Sequence, residues 1–83
     1  MESPDPDTAP LTYHCDWMRH LVCTPYSVKN LHRMARELGI KRCWFHPSKG
    51  HSHYDIPKRR IAEIQARCTV VSPRDILKIM RGG

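Results

Sequence analysis

The stretch Thr69-Val70-Val71-Ser72-Pro73-Arg74-Asp75 decides the fold. Two β-branched valines and a threonine in a row make a short β run, not the tight turn that would join two helices. Ser72 then supplies a helix N-cap, Pro73 fills the first turn, and Asp75 follows three residues after the cap. A strand feeding directly into a helix argues for an α/β domain. The rival is a helix-turn-helix built from residues 57–67 and 72–81, and Thr69-Val70-Val71 fits it poorly.

Working outward, the same grammar recurs. Ser27 reads as an N-cap, Val28, Leu31, Ala35 and Leu38 follow at helical spacing beside Met34, and Gly39 provides the stop. Lys29, Arg33 and Arg36 are expected on the opposite, solvent-facing side. Leu11–Trp17 has strand character, with Trp17 assigned to the core, and His20–Thr24 reads as a second short strand or the continuation of the first after a turn. Ile40–Phe45 is predicted to be a buried strand. Pro57 suits the first turn of a helix whose inner stripe is Ile61, Ile64 and Cys68, with Arg60, Glu63 and Arg67 outside. In the last helix Ile76, Leu77 and Met80 are expected to face inward. The sum is a small single α/β domain over residues 11–83, with a short, mostly parallel sheet and about three helices.

Size and charge bound the rest. The 83 residues leave room for one core. The chain has no apolar run long enough to span a membrane, and its first ten residues do not resemble a signal peptide, so a cytoplasmic location is expected. Residues 1–10, with Glu2, Asp5, Asp7 and three prolines, read as a disordered acidic tail. The net charge is +6, and because that tail holds three of the eight acids and no base, the remaining body is +9. Such a body attracts polyanions, and a nucleotide or nucleic acid is the expected partner. The four cysteines, at 15, 23, 43 and 68, form no C-x-x-C pair and read as free thiols.

Chemistry concentrates between Cys43 and Arg60. That segment holds Trp44 and Phe45, three of the six histidines, Asp55 and the triplet Lys58-Arg59-Arg60. His53 and Asp55 are candidate acid–base residues, because imidazole titrates near neutral pH and a carboxylate orients it. Asp16, with His20 four residues on, joins them as a further catalytic candidate. Tyr54, Lys58, Arg59, Arg60, Arg42 and Trp44 are candidate ligand-binding residues. The basic triplet opens a helix, where cations oppose the helix dipole unless an anion docks there. Asp55 has a second reading as the cap of that helix. His51-x-His53-x-Asp55 also has metal-ligand spacing, with His46 or Cys43 to complete it. Loop histidines are more often surface groups, so neither metal nor cofactor is expected.

The run Ser27-x-x-x-Leu31-His32-x-Met34-Ala35-x-x-Leu38-Gly39-Ile40, followed by Trp44-Phe45, His53-Tyr54-Asp55, Lys58-Arg59-Arg60 and Ala62, resembles the domain of unknown function four-zero-three-one, over about residues 12–77. The resemblance implies an acid on the first strand, matched by Asp16, and a base after His-Tyr-Asp, matched by Arg59 or Arg60. It also implies a bacterial or phage origin, with host-cell cytoplasm as the setting for a phage protein. It carries no reaction. Three readings follow. The first is a basic module binding a phosphate-bearing ligand, foremost nucleic acid. The second is a small enzyme acting on a nucleotide or nucleic acid through a His/Asp pair. The third is a phage protein that docks on host machinery such as an immunity complex.

Overall fold

The computed structural model describes residues 10–81. Strands β1 (Thr12–Cys15) and β2 (His20–Thr24) form an antiparallel hairpin, and helix α1 (Val28–Leu38) follows. A 3-10 turn at Arg42–Trp44 leads into β3 (Phe45–His46), which pairs antiparallel with β4 (His53–Asp55). A second 3-10 turn at Lys58–Arg60 precedes α2 (Ile61–Ala66), β5 (Thr69–Val70) and α3 (Pro73–Met80). The sheet order is β3-β4-β2-β1-β5.

The domain is α/β with three helices, but its sheet is mostly antiparallel, not mostly parallel. Among the described residues only the β1–β5 pair is parallel, whereas β1–β2, β2–β4 and β3–β4 are antiparallel. The reason is connection length. β1 and β2 are joined by the four residues 16–19 and β3 and β4 by 47–52, and links this short can only reverse the chain. Asp16 N–H closes the first turn on His20 C=O at 3.2 Å, and Arg19 sits at φ +72°, a left-handed conformation rare outside glycine.

Both strong helix starts form as read. Ser27 Oγ accepts from Asn30 N–H at 3.0 Å and Ser72 Oγ from Asp75 N–H at 3.1 Å. Gly39, at φ +72°, ends α1 and returns its N–H to Arg36 C=O.

Strand register sorts side chains onto two faces. Tyr13, Cys15, Leu21, Cys23, Phe45 and Tyr54 share one face, as the pairs Tyr13↔Cys23, Cys15↔Leu21, Leu21↔Tyr54 and Phe45↔Tyr54 require. Helix α1 covers that face: His32 lies against Phe45 and Tyr54, and Glu37 accepts from Tyr13 Oη. His14, Val22, His20, Asp55, His53 and His46 share the other, and α3 packs there against β2. The core is Leu21, Leu31, Met34, Leu38, Tyr54, Ile56, Ile64 and Ile76 with Cys15, Val22 and Cys23. No helix among the described residues is long and apolar enough to cross a membrane.

Several local expectations are corrected. Trp17 is 65% exposed, because it rides the tip of the β1–β2 turn. Ile40–Phe45 is not a strand; the Arg42–Trp44 turn occupies it and pairing begins at Phe45. Arg33 is buried, not outward, with its Nε donating to Glu37 at 3.0 Å. Leu77 and Val28 are exposed. The helix expected at Pro57 begins as a 3-10 turn and becomes α-helical at Ile61. The acidic tail lies, Pro10 apart, outside the described residues.

A histidine–carboxylate cluster as the candidate functional site

Pairing of His20 with Asp55 and of His46 with His53 brings four polar side chains to one corner of the α3-covered face. The His20 and His53 rings meet edge to face at 5.0 Å between centroids, and His46 stacks on His53 at 5.4 Å. Asp16, fully buried at the head of the turn, completes the group.

Each member is held by a specific partner. Asp16 Oδ1 accepts from the backbone N–H of Met18 at 2.8 Å and of His20 at 3.0 Å. Its Oδ2 accepts from His20 Nδ1 at 2.9 Å. His53 Nδ1 donates to His51 C=O at 3.0 Å. His46 Nε2 donates to Asp55 Oδ2 at 2.7 Å, and Asp55 Oδ1 lies 3.4 Å from His53 Nε2. With Nδ1 committed in both His20 and His53, Nε2 is the nitrogen each ring presents. The loop that sets His53 is itself tied: Gly50 turns it at φ +77°, Ser52 Oγ bonds the backbone of Ser48, and Tyr26 Oη donates to Ser52 C=O at 2.7 Å.

An apolar cleft of about 270 Å³ adjoins the cluster. His20 and His53 line one side, Pro73, Ile76, Leu77 and Met80 of α3 the other, with Ser48 and His51 at the loop end.

The sequence-derived catalytic residues His53, Asp55 and Asp16 therefore come together, with His20. The ligand-binding residues do not join them. Tyr54 alternates to the other face, buried, and meets His32 Nδ1 at 2.7 Å. Arg42 reaches His32 Nε2 at 3.3 Å. Burial, with the charges of Arg42 and Arg36, holds the His32 imidazole below its usual pKa, which keeps it neutral between these partners. Arg60 is spent on structure: it donates to Gly39 C=O at 2.7 Å, to Leu38 C=O at 2.8 Å and to Glu63, tying α2 to the end of α1. Arg59 and Trp44 line a separate cleft with Lys41, Cys43 and Pro57, so no common pocket unites them with Asp16. Lys58 lies in the same 3-10 turn as Arg59 and Arg60, and α2 starts with no side-chain cap, so Asp55 caps nothing there.

Sequence reasoning passed over two features. One is His46 as partner of Asp55, visible only through the β3–β4 register. The other is a cleft of about 320 Å³ on the α1 side, lined by Lys29, His32, Arg36, Ile40, Arg42 and Tyr54. The Lys29 and Arg36 positions on α1 hinted at it, but Arg42 and Tyr54 join only through folding. The thiols offer no nucleophile on the cluster: burial pushes Cys23 and Cys68 up to about 12 and raises Cys15 as well.

Together these features define a small α/β protein with a mixed sheet and a paired histidine–carboxylate centre on one face. A family profile described as "Protein of unknown function (DUF4031)" matches residues 5–82, nearly the whole chain, and the protein belongs to that family. No curated protein and no solved structure shows a significant match to it.

Proposed function

We propose that the protein is a small enzyme acting on a phosphate ester of a nucleotide or nucleic acid, with the His20/His53/Asp55/Asp16 cluster as its reaction centre. One observation carries this reading: two imidazoles 5.0 Å apart, each anchored through Nδ1, bring a ring nitrogen each and one carboxylate oxygen within 4.8 Å of one another. A scaffold needs no such convergence, and groups so placed can move protons or polarise a bound phosphate. Asp16 fixes the orientation of His20, and the His51 carbonyl that of His53. The apolar wall of α3 would seat the base or sugar, and the basic body would draw the substrate in.

Incubation with RNA, DNA, dinucleotides and mononucleotides, with and without divalent metal, tests this. Product is expected from the wild type. His53→Ala is expected to reduce turnover by about 10²-fold or more while leaving binding within a few-fold. Absence of product from every substrate would remove the enzyme reading.

A second reading, a binding module for phosphate-bearing ligands, is favoured by the α1-side cleft. Lys29, Arg36 and Arg42 converge there and none of its described lining residues is acidic. It predicts affinity for DNA or RNA that falls steeply with salt and drops on Arg42→Gln. Salt-insensitive or absent binding would dismiss it.

A further inference from the structure

We infer that His20, His53 and Asp55 form a binding site for one divalent transition-metal ion of the zinc type. One ligand atom from each residue lies within 4.8 Å of the other two. The inference deepens the enzyme reading by naming its cofactor, and it depends on that reading only for what the ion would do.

Three observations point to a cation. First, the donors face one another. His20 and His53 each commit Nδ1 elsewhere, to Asp16 at 2.9 Å and to the His51 carbonyl at 3.0 Å. Nε2 is then the nitrogen each ring has left for an ion, and His53 Nε2 lies 3.4 Å from Asp55 Oδ1. A carboxylate beside two imidazoles so placed favours a positive charge among them. Second, every ligand has the outer partner that a metal site uses: a carboxylate behind His20, a carbonyl behind His53, and His46 Nε2–H holding the far oxygen of Asp55 at 2.7 Å. Third, the chemical set fits. Two imidazoles and one carboxylate suit zinc, which binds them at about 2.0–2.2 Å. Ligand atoms in such a tetrahedron are about 3.3 Å apart, so the observed spacing closes with side-chain shifts of about an ångström.

The set is not the one the local spacing suggests. His51 stands two residues before His53, but its Nδ1 turns to Lys49 C=O, and it is exposed. His20, 33 residues away, takes its place through the β2–β4 register. Three protein ligands leave a fourth position open, as catalytic rather than structural sites do. Water bound there would be activated toward attack at phosphorus.

The test uses the whole chain, stripped with chelator and titrated with Co²⁺ by visible absorption and with Zn²⁺ by calorimetry. One equivalent should bind, with the d–d bands of a nitrogen/oxygen site. His20→Ala and His53→Ala should each weaken binding at least 10-fold, and Asp16→Asn, which removes no ligand, by about 10–100-fold. His51→Ala should bind as the wild type does. Circular dichroism checks that each variant is folded. Where one is not, the wild type decides by NMR, with Zn²⁺ shifting the Nε2 signals of His20 and His53 while both Nδ1 protons remain. Lack of stoichiometric binding, binding unchanged in folded His20→Ala and His53→Ala, or sulfur-to-cobalt charge-transfer bands would overturn the site. An ion bound without turnover would retain the site and remove the enzyme reading; product formed by the stripped protein would overturn the ion as cofactor.

Discussion

Replacing Asp16 should damage the fold and the site together, and its size can be worked from the contacts. The carboxylate is fully buried and accepts three hydrogen bonds, from Met18 N–H, His20 N–H and His20 Nδ1–H. Each hydrogen bond to a charged acceptor is worth about 1.5–3 kcal/mol. In Asp16→Ala all three donors lose their acceptor, although the exposed turn at Met18 lets water recover part of the loss. With that recovery the loss falls below the simple sum of three such bonds, and we expect about 3–5 kcal/mol. A domain of this size has a total of about 4–12 kcal/mol at ~0.05–0.15 kcal/mol per residue, so the alanine variant should be close to unfolding at 37 °C. Asp16→Asn keeps an oxygen for the backbone donors but cannot accept from both them and the imidazole, so about 1.5–3 kcal/mol should go. Urea denaturation reads both. At an m-value of about 1 kcal/mol/M the midpoint should fall by roughly 3 M or more for alanine and about half that for asparagine. Adding His20→Ala to each completes a double-mutant cycle, in which the Asp16–His20 coupling should exceed ~1 kcal/mol. An alanine variant within about 1 kcal/mol of wild type would refute the reasoning.

Further outcomes follow from the same contacts. Burial depresses the pKa of His14 below its ordinary 6.5, and its Nδ1 has no partner among the described residues. The folded state therefore binds that proton more weakly than the unfolded chain. His14's contribution is complete above about pH 6.5 and is lost as the pH falls through the depressed folded value. Denaturation at pH 7.5 and 5.5 should show an acid loss that is smaller in His14→Val, with a residue remaining from His32, which shifts the same way. Tyr54→Phe should cost about 0.5–1.5 kcal/mol by removing the His32 contact, yet leave turnover and metal affinity unchanged, because its ring lies on the opposite face. Arg60→Gln should lower the melting temperature by freeing the end of α1, while nucleic-acid affinity falls no further than in Lys58→Gln.

The helices were legible because their boundaries are written in local chemistry: Ser27, Gly39 and the Ser72-Pro73 start all act within one turn of chain. The hairpins were not. Residues 16–19 contain neither glycine nor asparagine, so Asp16 was the reversal's one weak sequence mark, and Arg19 takes the left-handed conformation. Missing that reversal turned an antiparallel sheet into a parallel one. The site was half visible. His53, Asp55 and Asp16 were named from residue type, but their union with His20 is a property of register. Strand alternation removed Tyr54, and helix–helix tethering took Arg60, which no sequence window of a few residues could foretell.

The central claim is that Asp16 locks His20 so that its outer nitrogen meets His53 and Asp55. Long-range ¹H–¹⁵N NMR on the metal-free protein near neutral pH measures this directly. The structure predicts a His20 ring that keeps a proton on Nδ1, hydrogen-bonded to Asp16, and ring-to-ring proximity with His53. A His20 ring protonated on Nε2 alone, or remote from His53, would contradict the account.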